Sequence, residues 1–168
     1  MTNLAYAVFE REENFFAALS KHMREKYGME VLQGYTPIRF LVNEETFADA
    51  AKTVTEGLYD KMSTYLPVEQ LNFGEISKEA YSKSDMDFII RDLKLIFDFR
   101  VGAHHENRFL IDSAKIEALR RADWEVVVVW ANGKPINWLK IYDSRDYENR
   151  DIVDIIERRF SMKEALSG

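Results

Sequence analysis

The sequence predicts an α/β domain in which a mixed β-sheet is flanked by helices. Three observations carry that expectation. Two strand-like runs rich in Ile, Leu and Phe face each other across the polar pair Arg91-Asp92, within SDMDFIIRDLKLIFDFRV. Val126–Trp130 is a continuous apolar run, which suits a strand covered on both faces. Stretches with helical periodicity precede, separate and follow these runs.

Taken in order, residues 6 to 27 read as a helix closed by Gly28, whose missing Cβ allows the left-handed turn at a helix end. Its apolar stripe is Val8, Phe15, Phe16, Leu19, Met23 and Tyr27. Projected at 100° per residue, Glu12 falls near the middle of that stripe and Glu13 at its edge. A short extended piece is expected around Ile38–Val42, then a helix over Glu44–Tyr65 interrupted or kinked near Gly57. Pro67 and Gly74 punctuate a loop that leads into the hairpin. After it, His104-His105-Glu106-Asn107 reads as a polar connection. Ile111–Ala122 is a third helix with Ile111, Ala118, Leu119 and Ala122 on one side, and Lys115 lies within that stripe. Asn132-Gly133 is a turn signal, Ile136–Tyr142 a further strand, and Asp151–Phe160 a closing helix with Ile152, Ile155, Ile156 and Phe160 inward. The expected order is helix, helix, hairpin, helix, strand, strand, helix, in one domain over residues 1–168.

Composition narrows the function classes. The chain has 168 residues, enough for one domain with a substantial core, and 46% hydrophobic with 31% charged residues is ordinary for a globular protein. No apolar run approaches the roughly 20 residues of a membrane span. The opening MTNLAYAVFEREEN lacks the basic region and apolar run of a signal peptide, so a cytoplasmic location is expected. With no cysteine, disulfides, thiolate zinc sites and cysteine nucleophiles are excluded together. The formal net charge of −6 argues against strong nonspecific affinity for nucleic acid while leaving room for a local basic surface.

The hairpin carries the chemistry. Residues two apart on a strand share a face, which groups Asp85 with Asp87 and Asp98 with Arg100. A tight turn at Arg91-Asp92 sets Asp87 near Ile96 and Asp85 near Asp98, so that all three acids crowd one face with Arg100. Like charges directly opposite one another destabilise a sheet. Such a cluster calls for a counter-ion, and a divalent cation is the obvious candidate.

An acid at the start of one strand, ten intervening positions, then Asp98-Phe99-Arg100 resembles the PD-(D/E)XK nuclease superfamily. The stretch that follows, HHENRFLIDSAKIEALRRADWEVVVVW, is similar to the helix-then-strand segment of the very-short-patch repair endonucleases, through Asp112, Lys115, Leu119, Trp124 and Trp130. The resemblance covers residues 84–142. It implies a restriction-endonuclease-like fold and a hydrolase, an endonuclease cutting the phosphodiester bonds of nucleic acid, DNA above RNA. It also implies Asp87 and Asp98 as ligands for Mg²⁺ or Mn²⁺ with the backbone carbonyl of Phe99, and a glutamate sent from the first helix, Glu12 or else Glu13. Small nucleases of this kind often work as homodimers.

Two departures accompany the match. The second acid is Asp where Glu is commoner. Arg100 stands where the motif has lysine, and a side chain that stays protonated cannot serve as a general base. Arg100 could instead grip a phosphate bidentately, and Lys115 could supply the missing ammonium. Simpler readings stand beside these. Asp85 and Asp87 could be solvated acids, and Asp98 could pair with Arg100 or Lys115. Lys115 could snorkel past its neighbours, and Glu12 could be a first-turn acid complementing the helix dipole. His104 and His105 read as loop residues, and Trp124, Trp130 and Trp138 as core or rim. The whole chain could also be a nuclease-fold relative without catalysis, acting as a protein- or nucleic-acid-binding module.

Overall fold

A central mixed sheet carries helices on both faces in the computed structural model, which describes residues 11–62, 78, 81–83, 85–100, 109–130 and 152–167. The strands are β1 (Leu32–Pro37), β2 (Asp85–Ile90), β3 (Leu95–Arg100) and β4 (Glu125–Trp130), in the order β1-β2-β3-β4. β1 and β3 are each antiparallel to β2, while β4 runs parallel to β3. A parallel pair needs a long crossover, and helix α3 (Phe109–Arg121) lies in it. The other helices are α1 (Glu12–Tyr27), α2 (Glu44–Met62) and α4 (Ile152–Ser167). The expected α/β class therefore holds. Val8, the loop with Pro67 and Gly74, His104 to Asn107, Asn132-Gly133 and the strand expected at Ile136–Tyr142 with Trp138 lie outside the described residues.

Each face of the sheet has its own core. On one side Phe15, Leu19 and Met23 of α1 pack with Phe88, Ile90, Leu95, Phe97 and Phe99 of the sheet, and Ile152, Ile155 and Ile156 of α4 join them. Phe15 is the hub, its ring centroid 5.6, 5.7 and 6.0 Å from those of Phe88, Phe97 and Phe99. On the other side α2 and α3 bury Phe47, Ala50, Ala51, Ala118 and Leu119 against Met86, Ile89, Ile96 and Val126. Small alanines at the α2–α3 contact let the two helices approach closely. Arg121 then donates from Nη2 to Thr53 Oγ1 across it at 2.9 Å.

Local chemistry sets the element ends. Gly28 closes α1 at φ +65°, with its N–H donating to Arg24 O, a conformation that only glycine adopts without strain. Asn43 caps α2 by accepting the Thr46 N–H at 2.7 Å. α2 runs unbroken through Gly57 to Met62, so the expected interruption does not occur there.

Two expectations are corrected. The extended piece placed at Ile38–Val42 begins as a 3-10 turn (Ile38–Phe40), and the strand lies earlier, at Leu32–Pro37. Gly34 and Pro37 mask it in the sequence. Both are tolerated because β1 is an edge of the described sheet, where a missing donor and a bulge cost least. The hairpin turn is also longer than Arg91-Asp92. Arg91–Leu93 form a 3-10 turn and Lys94 takes φ +51° before β3 begins. Ile90 consequently pairs with Leu95, and Ile96 lies opposite Ile89 rather than Asp87.

Candidate metal and active site

The register correction decides which acids meet. The ladder between β2 and β3 reaches Phe88 opposite Phe97, and one further step brings Asp87 level with Asp98. Asp85, expected beside Asp98, instead pairs with Pro37 on β1. The shift is two residues, which under strict alternation would change the partners and keep the faces, but alternation breaks at Asp87, between Met86 on one core and Phe88 on the other.

The strand is irregular at this point. On the β1 side, pairing jumps from Gln33–Phe88 to Thr36–Met86, which leaves Asp87 opposite a bulge. On the β3 side, the Asp87 carboxylate oxygen Oδ2 accepts the Phe99 N–H at 3.0 Å. A side chain has taken over a backbone amide next to the ladder's end. Bulges re-aim side chains and recur beside active sites. Met86 and Ile89 join the same core cluster although strict alternation would separate them, a further mark of the break.

Asp87 is held in a strongly unfavourable environment for charge. Its pKa is raised from 3.8 to about 8, first by burial, then by the charge of Asp98 and a hydrogen bond with it, and last by Glu12. The Phe99 N–H opposes that rise. Two carboxyl groups can share a hydrogen bond only when one carries the proton, and here the Asp87 O–H donates to Asp98. Asp98 itself is 3% exposed between Phe97 and Phe99.

Glu12 lies in the first turn of α1, where its charge adds to the rise at Asp87. Its projection among Phe15, Leu19 and Met23 places it on the sheet-facing side. Glu13 is exposed and lies 3.9 Å from Arg11, in solvent. Lys115 is buried in α3, with its Nζ 3.4 Å from Asp112 Oδ1 and donating to the Asp85 carbonyl at 3.3 Å. It is thus anchored one strand repeat from Asp87, about 7 Å along β2, and its ion-pair partner among the described residues is Asp112. Phe99 enters the site through its amide. Arg100 ends β3 opposite Trp130, and the side chains of both lie outside the described residues. Trp124 is buried at the entrance to β4 with the Lys94 ammonium 5.6 Å from its ring centroid.

Sequence reasoning singled out Asp112 and Lys115 through the resemblance but not as an ion pair, and it missed the Phe99 amide. The first was visible as an i,i+3 acid-base spacing. The second depends on the bulge, for which Gly34 inside a strand was the available signal. Among the described residues, no group of three His, Asp or Glu side chains converges closely enough to cage an ion, and no helix is long and apolar enough to cross a membrane. Comparison with protein-family models, curated proteins and solved structures returned no match for this chain.

Proposed function

We propose that this protein is a metal-dependent endonuclease, hydrolysing phosphodiester bonds of nucleic acid, with DNA as the expected substrate, and that Asp87 and Asp98 form its metal site. The observation that carries the reading is the meeting of Asp87 with Asp98 at the bulge, where the Phe99 N–H holds Asp87 Oδ2 at 3.0 Å. A buried carboxyl that keeps its proton up to about pH 8, beside Asp98 and with Glu12 near, marks a site holding more acid than it can ionise alone. Strongly perturbed groups of this kind concentrate at functional sites. A cation can take the place of the shared proton.

The donor set fits a hard cation. Carboxylate oxygens suit Mg²⁺ and Mn²⁺, and Mg²⁺ is commonly held by one or two carboxylates, with waters and substrate phosphates completing its shell. A pair without a full cage matches that requirement. When bound, the ion supplies Lewis-acid stabilisation of charge on the phosphoryl oxygens and lowers the pKa of water.

The chain's residues do the rest. Asp98 and Asp87 bind, and the Phe99 N–H fixes the orientation of Asp87. Glu12 adds negative charge from α1. Arg100 remains a phosphate contact by position on β3. Lys115, held by Asp112 and the Asp85 carbonyl, supplies positive charge near the start of β2.

The test is Mn²⁺-dependent cleavage of DNA by wild type beside Asp98→Asn. Loss of cleavage with an unchanged fold supports the reading, and cleavage surviving the substitution rules out this site. A second reading, a nuclease-fold binding module without catalysis, is favoured by the same hydrogen bond. The shared proton satisfies the acid pair without an ion, and Lys115 is already paired with Asp112. Under it, Mn²⁺ leaves the melting temperature unchanged.

A further inference from the structure

Beyond Gly28 the chain doubles back, and Met29–Val31 runs beside the outer flank of α1. Between them lies a cavity of about 490 Å³, within the usual size range of small-ligand sites. Its apolar wall is Phe16, Met29 and Val31, and its polar groups are Ser20, Lys21, Arg24 and Glu30. Lys21 and Arg24 are exposed and make no ion pair among the described residues, while the buried Ser20 Oγ has no hydrogen-bond partner among them. Phe16 stacks on Phe88 with ring centroids 5.4 Å apart, and Phe88 follows Asp87 directly. The cavity therefore opens along the helix whose first turn carries Glu12. Ser20 to Arg24 lie about 12 to 18 Å further along α1 at 1.5 Å per residue.

We propose that this cavity receives one nucleotide of the substrate strand, away from the cut, which rests on the nuclease reading above. Lys21 and Arg24 take the phosphate, with the Ser20 hydroxyl as a third donor. The base lies against Phe16, Met29 and Val31, where stacking on an aromatic is tolerant of sequence. Glu30 accepts from a base amino group or a sugar hydroxyl. The 12 to 18 Å separation spans about four or five nucleotides of B-form strand at 3.4 Å each. A local pair of cations also explains how a chain of net charge −6 could hold a polyanion.

The experiment is fluorescence anisotropy of a labelled single-stranded DNA of about 12 nucleotides, in EDTA, over a range of salt. Wild type is compared with Lys21→Ala/Arg24→Ala and with Ser20→Ala, and Mn²⁺ binding is measured separately on each. The expected result is DNA binding weakened at least about tenfold in the double variant, with the slope of log affinity against log salt reduced by about one. Ser20→Ala weakens it a few-fold, and Mn²⁺ binding is unchanged in both. Wild-type affinity and slope in the double variant overturn the proposal and leave the metal site standing. A wild type that binds Mn²⁺ but no DNA does the same, whereas one that binds neither overturns the nuclease reading as well.

Discussion

Asp87 is a carboxylic acid that the fold makes costly to ionise, and that has a measurable sign. Its folded pKa is raised to about 8 from the ordinary 3.8, so the folded state holds a proton that the unfolded chain releases across that window. Stability therefore falls as pH rises from about 4 to about 8, and the penalty is complete above that range. Metal-free Asp87→Asn should melt above wild type at about pH 9 and lose that advantage at about pH 5. Thermal melts in EDTA at the two pH values measure this, and an advantage independent of pH would contradict it. The Asp112–Lys115 pair behaves oppositely, because both side chains are almost fully buried. Lys115→Met removes the cation 3.4 Å from the buried Asp112 carboxylate and should cost about 3–5 kcal/mol, while replacing both partners with apolar residues should cost far less. Urea unfolding of the single and double variants decides between these outcomes.

At the scale of elements, α1 links the core to the site through one face. Phe15 touches three sheet phenylalanines, and Phe15→Ala should cost about 3–5 kcal/mol in urea unfolding. Gly28 tests the helix end alone, since a Cβ there meets nothing within 4 Å. Gly28→Ala should then cost about 1 kcal/mol, from the left-handed backbone and not from a clash. Most of this scale was legible in the sequence. The helices followed from apolar spacing and Gly28, although α1 starts at Glu12 after an extended Arg11 and does not run continuously from residue 6, and the Glu12 projection pointed towards the site. β4 followed from its unbroken valines. The hairpin register was not legible, because Lys94 at φ +51° is set by tertiary contacts. Its ammonium lies over Trp124 and donates to the Ala122 carbonyl, while its own carbonyl accepts the Glu125 N–H. No local turn signal in Arg91-Asp92-Leu93-Lys94 encodes contacts with residues that far along the chain. β1 was hidden for a related reason, since an edge position excuses Gly34 and Pro37 and a sequence does not announce edges.

For the whole molecule, the two layers of helices bury the middle of the sheet and leave its irregular corner as the place where acids gather. Asp98 was legible as an acid between aromatic residues in a strand. Its partnership with Asp87, instead of Asp85, needed the register and the bulge. If a divalent ion displaces the Asp87 proton, binding must release that proton, and apparent affinity should rise about tenfold per pH unit up to about pH 8. The most direct test is calorimetric titration of Mn²⁺ into wild type and Asp98→Asn, repeated in buffers of different ionisation enthalpy. The Asp87–Asp98 site requires one Mn²⁺ per chain with release of about one proton near neutral pH in wild type, and no binding by Asp98→Asn. Absence of binding by wild type, or equal binding by the variant, would contradict it.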